Sequence, residues 1–324
     1  MSAAPPRVTV LMPVHNAGAF LAETLDSLRR QTLKQFDILA IDDGSTDESA
    51  AILRACRDPR LRWVQREARG VTETLNEGLD LCATPLVARM DADDRCHPER
   101  LERQLRAMQA DPGLVVVGTA AAVIDAGGAA LGEISVVARD AAIRRALAVT
   151  NCFVHGSVMY RTDAARRTRY RAEARPAADY DFLVRLAAHG ATANLAEPLY
   201  EWRTHPAGVS RSQRAAQRHA AERIADGVWA GFGADGPAPR RAWPDIWDPG
   251  LEATLASNLH LQFARGQLRR GRRAGALAHV VAALRARPGS IAAWSYLGAM
   301  AVPARGFVGL EGWARTVMER KRGW

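Results

Sequence analysis

Apolar and polar positions along the first 120 residues alternate between two periods. Stretches 8–12, 36–41, 61–65 and 86–89 are short and mostly apolar, the pattern of strands buried on both faces. Between the first two, Leu21, Leu25 and Leu28 recur at helical spacing. The full pattern predicts helices from about residue 19 and over 47–55, 72–82 and 99–110, with a further strand at 114–118. Pro13 is placed to end the first strand, Ser45 or Thr46 to cap the second helix, and Pro98 to open the fourth. Strands and helices alternating at this length predict right-handed crossovers and a mostly parallel sheet covered by helices, an α/β fold. In such sheets the ligand crevice lies beyond the carboxyl ends of the strands. Three polar loops fall on that edge: Pro13-Val14-His15-Asn16, Asp42-Asp43-Gly44-Ser45 and Asp91-Ala92-Asp93-Asp94.

From about residue 120 to 204 the pattern is mixed. Gly127-Gly128 reads as a hairpin turn, 139–149 as a helix, 157–161 as a strand and 180–188 as a helix. After Trp202 the composition shifts to Ala- and Arg-rich helical sequence. A linker is expected around Gly231, Gly233, Gly236, Pro237, Pro239 and Pro244, followed by two antiparallel helices over 259–297. The expected division is therefore residues 1–118, 119–210 and 211–324.

Composition adds limits. Of 324 residues, 48% are hydrophobic and 24% charged, as in an ordinary globular protein large enough for a sizeable core. The apolar runs are too short to span a bilayer, and residues 1–7 lack the apolar core of a signal peptide, so a cytoplasmic location is expected. Cys56, Cys82, Cys96 and Cys152 show no paired or metal-finger spacing, which predicts reduced thiols. The net charge of +9 is uneven: residues 1–202 hold 25 bases against 27 acids, whereas 203–324 hold 19 against 8. A basic tail suits peripheral contact with an anionic membrane surface. Nucleic acid is not expected, because no recognition motif accompanies the arginines.

The segment that carries most chemistry is Met90-Asp91-Ala92-Asp93-Asp94, three carboxylates in four positions where a buried strand emerges. Carboxylates this close repel one another unless a cation holds them. A hard ion, Mn²⁺ or Mg²⁺, meets that need and commonly binds one or two carboxylates plus the phosphates of a substrate. The alternative is an Asp-rich turn.

Taken as an ordered set, Val10-Leu11-Met12-Pro13-Val14-His15-Asn16, Asp42-Asp43-Gly44-Ser45-Thr46-Asp47 and Ala88-Arg89-Met90-Asp91-Ala92-Asp93-Asp94 with Pro98-Glu99-Arg100-Leu101 resemble family 2 glycosyltransferases of the GT-A fold, over about residues 7–210. The resemblance implies a GT-A domain over that span, to which composition adds a C-terminal helical extension. It also implies metal-dependent, inverting transfer of a sugar from a nucleotide-diphospho-sugar, most readily a UDP-sugar, to a hydroxyl of a glycan or lipid-linked acceptor. Pro13, His15, Asn16, Asp42 and Asp43 would hold the nucleotide, with Asp43 on the base. Asp91 would lie near the ribose and Asp93 on the metal, joined by Asp91 and His205 as further ligand candidates; Asp94 would support them. His15 can instead be a turn residue, and Asp42 and Asp43 a turn and cap pair.

Ala178-Asp179-Tyr180-Asp181 resembles the family's acidic motif before a helix, with Ala178 standing where a Glu is usual. The resemblance makes Asp179 the catalytic base that takes the acceptor's proton; its other reading is a helix cap. His155 is placed on the acceptor side or against a phosphate, or is a structural histidine. Two competing functions remain open on sequence: a nucleotidyltransferase of similar fold, against which the absence of Lys or Arg in 13–18 counts, and a non-catalytic scaffold with a transferase fold.

Overall fold

The computed structural model describes residues 7–205, 214–231 and 273–286, together with Ser290, Ala293, Trp294 and Leu297. Strands β1 (Val8–Val14), β2 (Phe36–Asp43), β3 (Leu61–Arg66) and β4 (Leu86–Arg89) lie side by side in the order β3-β2-β1-β4, all parallel. The crossovers are made by α1 (Leu21–Arg29), α2 (Ser49–Ala55) and α3 (Val71–Leu81). Alternation along the strands sends side chains to two cores. Val8, Val10 and Met12 pack with Ile38 and Ala40 against Leu21, Leu25 and Leu28 of α1 and against α4 (Arg100–Ala110). Leu11, Leu39 and Ile41 face the other way, onto Leu75 and Leu79 of α3. A sheet buried on both faces accounts for the nearly unbroken apolar runs.

Beyond β4 the sheet changes character. Strand β8 (Met159–Arg161) runs antiparallel to β4 and to β6 (Leu114–Ile124), which in turn pairs in parallel with β9 (Ala191–Arg203). The two-residue strand β5 (Arg95–Cys96) closes the edge against β9, and β7 (Ala130–Ile134) forms a hairpin with β6 through a turn at Gly128 (φ +86°). Helices α5 (Asp140–Leu147), α6 (Thr162–Thr168), α7 (Ala178–Leu186) and α8 (Arg214–Gly231) contribute to the core under α3. A last helix, α9 (Arg273–Ala286), packs Ala276, Val280 and Ala283 on Ala293.

Several sequence expectations are corrected. Strand β1 continues through Pro13 to Val14, because beyond Leu11 only β2 flanks it and a proline is tolerated on an unpaired side. Ser45 does not cap α2: its hydroxyl accepts from Asn16 N at 3.0 Å, and Asp47 accepts from Ser49 N at 2.9 Å instead. The strand expected from 157 starts at Met159, because His155–Ser157 forms a 3₁₀ turn. Strands β5 and β9 escape the sequence pattern; β9 is interrupted by Asn194, Glu197, Pro198 and Glu201, and its pairing with β6 carries several register shifts. The expected linker, and most of the 259–297 segment apart from α9, lie outside the described residues. No helix among the described residues is long and apolar enough to cross a membrane.

Candidate active site

The first two loops are stitched together by hydrogen bonds. Asn16 adopts the left-handed conformation (φ +51°), which Asn tolerates better than most residues. From there its Oδ1 accepts from Thr46 N at 2.9 Å. His15, exposed at the crevice, places Nδ1 2.8 Å from the Asp43 carbonyl oxygen. Asp42 is fully buried and accepts from Ser45 N at 3.0 Å, so its side chain shapes the turn. The Asp43 carboxylate accepts from Arg69 N at 2.8 Å and Gly70 N at 2.7 Å, with the Arg66 guanidinium 3.3 Å away. The turn requires Gly44 (φ +71°): a Cβ there would sit 2.6 Å from Ala68 N.

The acidic loop follows β4. Its three carboxylates part company. Asp91 turns to Arg89, 2.7 Å from Nη2. Asp93 meets His205 Nε2 at 2.9 Å. Asp94 is buried and accepts from the Tyr200 hydroxyl at 2.7 Å and from Arg203 N at 2.6 Å, which ties the loop to the end of β9. Arg203 continues the tie through its side chain, donating to the Asp93 carbonyl at 2.7 Å and pairing with Glu23 of α1. Its guanidinium also lies over Phe20, whose ring touches His205. The three residues expected to share a metal therefore do not converge as a set, and among the described residues no three His, Cys, Asp or Glu groups do. The reason is Arg89, which competes for Asp91.

Asp179 sits in the first turn of α7, one position past the start of the helix rather than at its cap, Ala177. Asn151 Nδ2 donates to its Oδ2 at 3.0 Å, and the amide cannot swing because Asn151 Oδ1 accepts from Phe153 N at 3.1 Å. His155, on the 3₁₀ turn, reaches the Tyr170 hydroxyl at 2.9 Å. Burial, then the Arg89 charge, push its pKa down to about 3. The neutral imidazole offers hydrogen bonds rather than charge at this position.

The profile of the family described as glycosyl transferase family 2 matches residues 9–169. EpsE of Bacillus subtilis, named as a glycosyltransferase, is 31% identical over 206 residues, which cover 61% of this chain and 73% of EpsE. The chain belongs to glycosyl transferase family 2. WbnJ of Escherichia coli, an O-antigen biosynthesis glycosyltransferase, is 28% identical over 63% of this chain and 82% of its own length. Among solved structures, TarS 1–349 of S. aureus with UDP-GlcNAc superposes with a TM-score of 0.58 at 15% identity, covering 87% of this chain and 92% of that one. The mannosyltransferase PcManGT of Pyrobaculum calidifontis, with GDP-Man and Mn²⁺, gives 0.52 at 21%, covering 96% and 83%. At these identities the structures speak for the fold, which is GT-A.

In this family 2 glycosyltransferase the electrostatics separate the acids further. Burial, then the Asp91 charge, raise Asp93 above the usual carboxylate range. Burial raises Asp94 well above it, and Asp93 and Asp91 add to that. Asp179 is raised chiefly by burial, with the Asp91 charge adding to it and Asn151 opposing it. Charge from Asp91 thus reaches both Asp93 and Asp179. The residues that organise this arrangement were not singled out by sequence: Arg89, Asn151, Tyr200 and Arg203. An arginine inside an apolar strand was a legible signal for Arg89. Nothing local marks Tyr200, whose partner lies 106 residues earlier.

Proposed function

We propose that this glycosyltransferase moves a sugar, with inversion, from a nucleotide-diphospho-sugar to a hydroxyl of a glycan or lipid-linked acceptor, using Mn²⁺ or Mg²⁺, in the synthesis of a cell-surface polysaccharide or glycoconjugate. The observation that supports it best is a pair of acidic groups, each oriented by its own hydrogen-bond partner. Asp93, with His205, stands at the end of β4, and Asp179, held by Asn151, stands at the start of α7. The neighbours that bind UDP-GlcNAc and GDP-Man, and the relative named for O-antigen biosynthesis, favour the same donor class and setting.

A divalent ion fits the donor set, since such ions commonly take one or two carboxylates and complete their shell with phosphate oxygens and water. Burial, and then the Asp91 charge, raise the Asp93 carboxyl, and a bound cation would favour its ionised form. Asp93, with His205 beside it, would hold that ion, which when bound neutralises the diphosphate as it leaves. The remaining chemistry falls to the chain. The stitched loops at His15, Asn16 and Asp43 form the nucleotide's floor, and Asp91 faces the donor from the Arg89 side. Asp179 takes the acceptor hydroxyl proton as that oxygen attacks the anomeric carbon from the face opposite the leaving group. Residues 1–118 then act as the donor half, 119–210 as the acceptor half and 211–324 as a helical extension whose basic surface docks on anionic lipid.

The test is nucleotide release from a panel of UDP-, GDP- and dTDP-sugars with Mn²⁺ or Mg²⁺, for wild type and Asp179→Asn, with the product anomer read by NMR. Metal-dependent release, lost in Asp179→Asn and giving the inverted anomer, is expected. Turnover that survives both chelation and the substitution sinks the mechanism.

A further inference from the structure

Strand β4 reads Leu86-Val87-Ala88-Arg89, and a charged side chain at the end of such a strand is costly unless something uses it. The Arg89 side chain is only 2% exposed, yet it reaches the Asp91 carboxylate in the loop after β4. One nitrogen of its fork donates to the Met90 carbonyl and the other, Nη2, to Asp91 Oδ1 at 2.7 Å. Gly156 closes the far side of the Asp91 carboxylate: a Cβ there would stand 2.7 Å from Asp91 Oδ2 and would also strike the Tyr200 hydroxyl. Asp91 therefore lies between a cationic fork and a bare backbone. The remaining Arg89 nitrogen, Nε, has no hydrogen-bond partner among the described residues, and neither does the nearby Tyr160 hydroxyl. A fork that leaves one donor unmet to direct the other two is positioned for its neighbour.

The geometry points to Arg89 as a positioning residue of the transfer site: it fixes the Asp91 carboxylate in one orientation and offsets part of its charge, which leaves Asp93 as the carboxylate that meets the cation while Asp91 meets an uncharged part of the donor. This rests on the nucleotide-sugar reading given above. Partial compensation of that charge carries a distinctive consequence. Without Arg89, the Asp91 carboxylate becomes a free anion beside Asp93, so bare metal binds more tightly even as donor alignment is lost. A residue that merely supports the fold would weaken both.

The experiment uses the full chain and three variants, Arg89→Gln, Arg89→Lys and Arg89→Gln/Asp91→Asn, with Mn²⁺ alone titrated by calorimetry and kcat and KM measured on the best donor. Arg89→Gln is expected to bind Mn²⁺ about tenfold more tightly, through the added uncompensated charge. Its kcat is expected to fall about a hundredfold, through misalignment of the donor. Arg89→Lys keeps the charge but not the fork, so Mn²⁺ affinity should stay near wild type while kcat falls. The double variant should return Mn²⁺ affinity to the wild-type value. Unchanged or weaker Mn²⁺ binding in Arg89→Gln, or a kcat within twofold of wild type, overturns the proposal. Should Arg89→Gln not fold, Arg89→Lys and Gly156→Ala carry the test, and a kcat within twofold of wild type in both overturns it. The metal titration reads the charge role even if no sugar nucleotide turns over, which would count against the functional reading instead.

Discussion

The two sides of the crevice are built on opposite plans. On the proposed donor side, β1, β2 and β4 end together in parallel; the first two loops are held by each other and by the segment after β3, and the third by the end of β9. Around Asp179, the helix α7 comes after β8, α6 and a 3₁₀ turn, and the side chain is oriented by Asn151 from an irregular segment. The proposed donor side is a regular parallel scaffold; the proposed acceptor side is an irregular assembly around one carboxylate. The contrast teaches where each kind of damage should register, as folding stability and donor affinity on one side and as turnover on the other.

The sharpest way to break the contrast is Asp179→Asn. It should lower kcat by about 10²–10⁴-fold, the range for loss of a general base, with little change in melting temperature or donor KM. An equal loss of stability would place Asp179 among scaffold residues. Next comes Arg203→Ala, which strands the Asp93, Asp125 and Ala126 carbonyls and removes the pair with Glu23. It should cost about 3 kcal/mol in urea unfolding and raise the donor KM. Gly44→Ala should cost about 1–3 kcal/mol, because it forces an L residue to positive φ against Ala68, with kcat on saturating donor largely kept. Tyr200→Phe, which removes one donor to buried Asp94, should cost about 1–2 kcal/mol by the same unfolding assay.

The smallest effect is a shift in pH dependence. The base must be unprotonated, and the folded protein raises the Asp179 pKa, so kcat falls as pH drops through a point above the ordinary carboxylate range. The Asn151 hydrogen bond lowers that pKa, so Asn151→Ala should move the acid limb to higher pH. A limb that stays in place would show that Asn151 does not act on the base.

The same contrast explains what could be read from the sequence. Strands β1, β2 and β4 are buried on both faces, so apolar runs mark them and place the three loops on one edge. Asp91, Asp93 and Asp179 were visible as acidic motifs at strand and helix boundaries. The partners that decide their roles were not. Arg89 draws Asp91 towards itself, so the three ligands that the resemblance implied do not converge. Tyr200 and Arg203 come from β9, a strand whose apolar pattern is broken by Pro198 and two glutamates and whose register with β6 shifts. Long-range pairing of an irregular strand leaves no local periodicity to find.

The tie between Asp94 and the end of β9 also sets an order of events during synthesis. The residues that satisfy Asp94 arrive 106 and 109 positions later in the chain. At about 5–20 residues per second, the acidic loop waits on the order of 10 s for them on the ribosome. Until then it is a cluster of three carboxylates next to a nearly complete parallel sheet. The donor side can be folded long before the polypeptide has the means to use it.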